Sequence, residues 1–332
     1  MPTLLGKEIG STGFGLMRLT WRITPLPQEQ AFEAMKTALN HGMNFWVGGT
    51  FYGKPEYNSL VLLERYFAKY PEDADKVVIS IKGGTNDVGK EPDGSPEATR
   101  RSLDKAIAQL NGRKKIDIFE FARRDPNVPL KTTFEVLEKE YVQTGKIGGI
   151  GLSEVRAETI HEAVKLTKIV AVEAELSIFS RETLEHGVAD ACAQYDIPLV
   201  AYSPMGRGFL SGKFKTPEDV KKFSPEIAHW PWFEPGNWEA NLNLVQRIEQ
   251  MARAKGATPA QFAISWTKRV PSWRKGAPKT IIPIPGSTGP ARVAENAVDV
   301  EITDDEMKQL DELIAKTPRA GPRYPDDIPF DT

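Results

Sequence analysis

Eight short apolar runs alternate with stretches of helical spacing along this chain, and that rhythm restricts the fold more than any other feature. The runs cover residues 13–16, 44–48, 77–82, 116–122, 147–152, 170–176, 198–202 and 280–284. Many are rich in β-branched residues, as in Val77-Val78-Ile79-Ser80-Ile81-Lys82, which suits buried strands. The stretches between them place apolar residues three and four apart. Ala31, Phe32, Met35, Ala38 and Leu39 do so over 27–42, with Gly42 as the stop signal, and Leu60, Leu63 and Phe67 do so over 56–70. Ser95-Pro96-Glu97 opens a helix through Leu103, Ile107 and Leu110, with serine as cap and proline at the first helical position. Further helical patterns lie at 129–144, 157–168, 183–195, 239–269, 290–297 and 303–316. Strict alternation predicts a parallel sheet of the α/β class. Eight units in 332 residues fit a single-domain (β/α)₈ TIM barrel better than an open sheet, and no shift in composition divides the chain.

Composition narrows the functional classes. Hydrophobic residues make up 40% and charged residues 27%, an ordinary globular balance. The net charge of −2 sets up no field that would draw nucleic acid or an anionic membrane. The single cysteine, Cys192, falls in an amphipathic stretch and reads as a buried, inert thiol in a reducing compartment. His41, His161, His186 and His229 are scattered without metal-ligand spacing. The first residues lack a basic segment followed by an apolar h-region, and no apolar run approaches membrane-spanning length, so neither a secretory leader nor a membrane span is expected. The expectation is a soluble, cytoplasmic protein that acts on a small molecule without a metal.

Two stretches interrupt the alternation. Residues 205–238 form a long Gly-, Pro- and Trp-rich loop after the seventh strand, and loops of this length are usually lids or binding loops. The tail from Thr317 to Thr332 is rich in Pro and Asp; it either drapes over the barrel mouth or is disordered.

Chemistry in parallel-strand barrels sits at the carboxyl ends of the strands. Three such ends carry candidates: Tyr52 after the second strand, Lys82 after the third, and Ala122-Arg123 after the fourth. An ammonium beside a phenol favours phenolate and lowers the phenol's pKa from its usual value of about 10, which lets the hydroxyl deliver a proton. Tyr202-Ser203-Pro204-Met205-Gly206, with Gly208, ends the seventh strand and offers backbone able to wrap a ring or phosphates. Pro285-Gly286-Ser287-Thr288 leads into a helix bearing Arg292, Glu295 and Asn296. A Gly-Ser-Thr turn there is a ready anion site, and Arg292 suits the extra phosphate of NADP. No G-x-G-x-x-G follows any strand, which argues against an open dinucleotide-binding sheet.

Taken together, Phe51-Tyr52-Gly53, the run from Tyr202 to Lys213, and Ile282 to Thr288 with Arg292 resemble the aldo-keto reductases. Gly15 to Trp21, Ile81 to Thr85, Ala122 to Pro129 and Gly151 to Glu154 are most similar to its fungal pyridoxal reductase-like branch. The resemblance implies a (β/α)₈ barrel that binds NADP(H) across the carboxyl edge and reduces aldehydes or ketones, pyridoxal-like or aromatic ones among them. It implies Tyr52 as proton donor and Lys82 as its partner. It implies nicotinamide stacking on Tyr202, with the carboxamide near Ser153, Glu154 and Glu173. The 2′-phosphate would meet Ser287, Thr288 and Arg292, and the adenine Glu295 and Asn296. Trp21, Phe51, Ala122, Arg123, Trp230 and Trp232 are the expected substrate pocket, an aromatic one.

Two positions depart from the family pattern. Its aspartate is Val47 here, and its histidine is Ala122. Without that aspartate, Lys82 is expected to be a buried ammonium lacking its usual counter-ion, with its pKa pushed down and a weaker hold on Tyr52. Glu120, Glu173 and Glu175 share inward strand parity and are the replacement carboxylates. Until one of them pairs with Lys82, a non-redox enzyme on the same barrel and a catalytically weak NADP(H)-binding protein stand as alternatives.

Overall fold

The computed structural model of the chain describes every residue except 25, 86–90, 226 and 326–332. Eight parallel strands run in sequence order around the sheet: β1 (Phe14–Gly15), β2 (Phe45–Gly49), β3 (Val78–Gly83), β4 (Ile116–Phe121), β5 (Ile147–Ser153), β6 (Ile169–Glu175), β7 (Leu199–Tyr202) and β8 (Ile281–Pro283). The last strand meets the first. Gly13 N donates to Pro283 O at 2.9 Å, and Gly15 pairs with Gly286 in parallel register. Helices follow the strands, so the fold is the expected TIM barrel.

Alternation along each strand sorts the side chains into layers. Phe45, Val47, Val78, Ile118, Ala171, Val200 and Ile282 point inward and fill the lower barrel. A short hairpin, Thr3–Leu4 against Lys7–Glu8, adds Leu4 and Ile9 to that cluster from below. Nearer the carboxyl ends the same inward parity brings Lys82, four residues beyond Val78, and Glu120 and Glu173, two beyond Ile118 and Ala171. The barrel is therefore apolar at its base and charged at its carboxyl rim. Outward-facing residues such as Trp46, Ile79 and Phe119 join the larger core against the helices. Helix starts are capped as their sequences dictate: Asn58 accepts from Leu60 N and Val61 N, and Thr258 and Thr303 form capping boxes with Gln261 and Glu306.

The two interruptions are more ordered than their composition suggests. The 205–238 stretch holds a turn of helix at Gly206–Ser211, a helix at Pro217–Phe223 with a Thr216 capping box, and another turn at Pro231–Phe233. The tail follows the first of its two expected courses through Tyr324. Arg319 reaches Phe179 O and Glu182, the Ala320 backbone exchanges hydrogen bonds with Asn241, and Trp232 Nε1 donates to Pro322 O at 2.8 Å. Residues 326–332 of the tail lie outside the described residues.

Candidate active site

Lys82 and Tyr52 meet at the rim through strand register. Gly49 on β2 pairs with Lys82 on β3, and Thr50 N donates to Lys82 O at 2.9 Å. The chain then turns so that the Tyr52 ring lies flat over Gly49. A Cβ at position 49 would stand 3.0 Å from Tyr52 Cγ, a contact tight enough to displace the ring by a few tenths of an ångström. Trp21 and Phe51 pack on the same phenol, with ring centroids 5.5 and 4.9 Å away.

Lys82 is 4% exposed, and its ammonium lies 2.5 Å from Glu173 Oε2 and 3.1 Å from Glu120 Oε1. Both contacts are ion pairs rather than well-directed hydrogen bonds. Ser80 Oγ donates to Glu120 at 3.4 Å. The expectation of an unpaired lysine is therefore overturned. Burial alone would lower the Lys82 pKa, but Glu120 and Glu173 raise it above its ordinary value. The counter-ions of Lys82 come from β4 and β6 and not from position 47.

That replacement has a consequence for the phenol. Burial pushes Tyr52 up to about 12; Lys82 pulls it down, while Glu173 and Glu120 push it back. The expected acidification is thus outweighed, and Tyr52 stays a protonated phenol across the neutral range. Glu173 is raised to about 8, first by burial, with Lys82 opposing and Glu120 adding to the rise.

A second charged cluster lies beside the first. Glu175, the third replacement candidate, pairs instead with Arg207 at 2.6 Å. Glu154 binds Arg323 at 2.7 Å and accepts from Glu175 N at 2.9 Å. Burial would raise Glu154, but Arg323 and Arg123 hold it below the usual carboxylate range. Glu154, Ser203 and Arg207 all have positive φ (53°, 51° and 55°), and at Glu154 and Arg207 the side-chain contacts hold that strain in place. Tyr324 hydrogen-bonds Tyr202 through the two hydroxyls. Arg207 stacks on Trp230, 3.6 Å from its centroid, and lies 4.7 Å from that of Tyr324. Arg323 and Tyr324 come from the tail and were missed in the sequence; Pro322-Arg323-Tyr324-Pro325, a cation and an aromatic inside a Pro- and Asp-rich stretch, was the available signal.

The remaining expected site residues divide between the barrel rim, the segment after β8 and the core. Ala122 is buried at the rim, and Arg123 donates to its carbonyl oxygen. Trp21 is 45% exposed at the mouth, whereas Trp232 is fully buried and pins the tail, so it forms part of the core and not a pocket wall. Pro204 and Gly206 are buried, with Met205 and Gly208 half-buried around the turn. Ser287 and Thr288 are half-buried after β8, Asn296 is buried, and Arg292 is exposed, donating to Glu295 at 2.6 Å. Lys213 faces Arg292: burial lowers its pKa and the Arg292 charge lowers it further. Two cations held together with one carboxylate leave an excess positive charge that suits a phosphate. At the rim, Ser153 Oγ is buried with no hydrogen-bond partner, beside Glu173 in register. An orphaned hydroxyl at the rim and excess positive charge after β8 fit a nucleotide carrying an amide and a phosphate.

The pattern of the aldo/keto reductase family model matches residues 11–315. The chain belongs to the aldo/keto reductase family. It is therefore an oxidoreductase of a family that works with nicotinamide cofactors. This aldo/keto reductase is 40% identical over 330 residues to "Probable pyridoxal reductase 2" of Schizosaccharomyces pombe, covering 98% of this chain and 97% of that one. It is 35% identical to "Putative pyridoxal reductase" of Saccharomyces cerevisiae, covering 94% and 95%. Its fold matches the structure of a glycerol dehydrogenase from Gluconobacter oxydans with a TM-score of 0.79 at 21% identity, over 98% and 96% of the two chains. Among the described residues, no helix is long and apolar enough to cross a membrane.

Proposed function

We propose that this aldo/keto reductase reduces an aldehyde or ketone on a small, flat molecule at the expense of NADPH, with Tyr52 as proton donor. The observation that carries the reading is the Lys82 ammonium held between Glu120 and Glu173 beside the Tyr52 phenol. Bound NADPH supplies the hydride. Ser153 and Tyr202 would hold its nicotinamide end, and Ser203 to Gly206 with Gly208 would wrap its middle. Ser287, Thr288 and Arg292, with Lys213, would hold the 2′-phosphate, and Glu295 and Asn296 the adenine. Phosphate recognition by Arg292 and Lys213 is what selects NADPH over NADH.

The residues of the chain do the rest. Trp21, Phe51, Ala122 and Arg123 border the place where a carbonyl must sit to reach Tyr52. As negative charge builds on the carbonyl oxygen, the phenol gives up its proton to it, and the fixed Lys82 charge stabilises the phenolate left behind. A ground-state phenol pKa near 12 costs little when the acceptor becomes an alkoxide, which is a far stronger base. Relatives named as pyridoxal reductases make pyridoxal the first substrate to try, and a cytoplasmic setting accords with that chemistry. The test is NADPH oxidation against pyridoxal and simple aromatic aldehydes. Alcohol formed in step with NADPH consumed supports the reading. Binding of NADPH without turnover points to the weak cofactor-binding alternative, and product without cofactor consumption points to a non-redox enzyme.

A further inference from the structure

The rim holds one ammonium and two carboxylates within 3.1 Å of it, all three almost completely buried. Fully ionised, this triad carries a net charge of −1 with little water to solvate it, and two like charges sharing one counter-ion do not both stay ionised in such a place. The surroundings offer little further compensation. From β3, Ser80 gives Glu120 a hydroxyl; from β2, Gly49 pairs in register with Lys82, and from β7 the apolar Val200 pairs with Glu173. From β5, Ser153 pairs in register with Glu173, and the Glu154 carboxylate is engaged by Arg323. From the loops come the neutral phenol of Tyr52 and the Arg123 guanidinium, which is held at the Ala122 carbonyl and whose charge also acts on Tyr52.

We propose that Glu120 and Glu173 hold one proton between them at neutral pH and form, with Lys82, a proton store that reloads Tyr52 after each reduction. The pKa of Glu173, raised to about 8 by burial and by Glu120, agrees with this. The inference rests on the reductase reading for its use and on the triad alone for its existence. When Tyr52 has given its proton to the nascent alkoxide, a Lys82 N–H proton passes to the phenolate oxygen. The lysine amine then takes the proton from the Glu173 carboxyl: one O–H bond breaks and one N–H bond forms. Both carboxylates are left ionised around a restored ammonium. A solvent proton entering at the mouth after product leaves returns the pair to its starting state. The two electrons of the hydride stay on the carbonyl carbon throughout. Glu120 and Glu173 act through Lys82 and are positioning residues.

Infrared titration of the cofactor-free protein tests the store without any turnover. The expected result at pH 7 is a protonated-carboxyl carbonyl band worth one group per chain, lost as the pH rises above about 8. The band should vanish in Glu173→Gln. It should vanish also in Glu120→Gln, because the surviving Glu173 then has Lys82 to itself and ionises. No band in the wild type, or a band unchanged in Glu120→Gln, would overturn the proposal. With aldehyde and NADPH, the wild-type kcat should fall about tenfold or more on the alkaline side with the same midpoint as the band, and Glu120→Gln should lose that midpoint. A wild-type kcat that does not follow the band removes the reloading role. Absence of turnover in every form, with the band present, overturns the reductase reading instead.

Discussion

Lys82 on β3 reaches across the barrel mouth to Glu173 on β6, with 2.5 Å between ammonium and carboxylate. That contact, with Glu120 3.1 Å away on β4, gives Lys82 two counter-ions, neither of them from position 47.

Restoring an aspartate at position 47 should therefore harm the protein. Val47 is 3% exposed in the apolar lower barrel, and Lys82 already has two counter-ions. A third carboxylate would be buried without a cation of its own. Val47→Asp should lower stability by about 2–4 kcal/mol in urea denaturation and give no gain in aldehyde turnover.

The sequence led to the expectation of a Lys82 without a counter-ion, and the reason it failed is physical. The strand order, the inward parity of Lys82, Glu120 and Glu173, and the barrel itself were legible because period-two alternation and the strand–helix rhythm are local properties of the chain. Which of Glu120, Glu173 and Glu175 would reach Lys82 was not, because it depends on strand stagger and on Arg207 capturing Glu175. The tail was harder still. Its course is set by partners far away in sequence, Asn241, Trp232 and Glu154, and nothing periodic announces them.

The tail should prove structural as well as a lining of the site. Arg323 is 3% exposed and neutralises Glu154, with Glu175 3.8 Å away. Removing the guanidinium strands a buried charge. Arg323→Ala should cost about 3–5 kcal/mol by denaturant unfolding and open the tail to limited proteolysis near residue 319.

Stability should fall as the pH rises from about 5 to 8. Glu173 holds its proton in the folded state up to about pH 8 but releases it near its ordinary value when unfolded. Between those values the folded state binds more protons than the unfolded one, so the slope of unfolding free energy against pH is negative there. In Glu173→Gln this contribution is absent, and a plot of Tm against pH over the same range should be flatter than that of the wild type.

Cofactor choice should depend strongly on the exposed cation of Arg292. Arg292 faces Lys213 and Glu295 after β8. Arg292→Ala should weaken NADPH binding about tenfold by fluorescence titration while leaving NADH almost unaffected.

Tyr52→Phe, compared with the wild type in the same NADPH and aldehyde assay, bears most directly on the whole scheme. The ring, and hence the packing of Trp21 and Gly49 against it, is kept, and only the proton is removed. Turnover should drop by about 10²–10⁴-fold while NADPH binds as before. A phenylalanine variant reducing aldehydes at the wild-type rate would contradict the assignment of Tyr52 as the acid, and with it the purpose given to Lys82, Glu120 and Glu173.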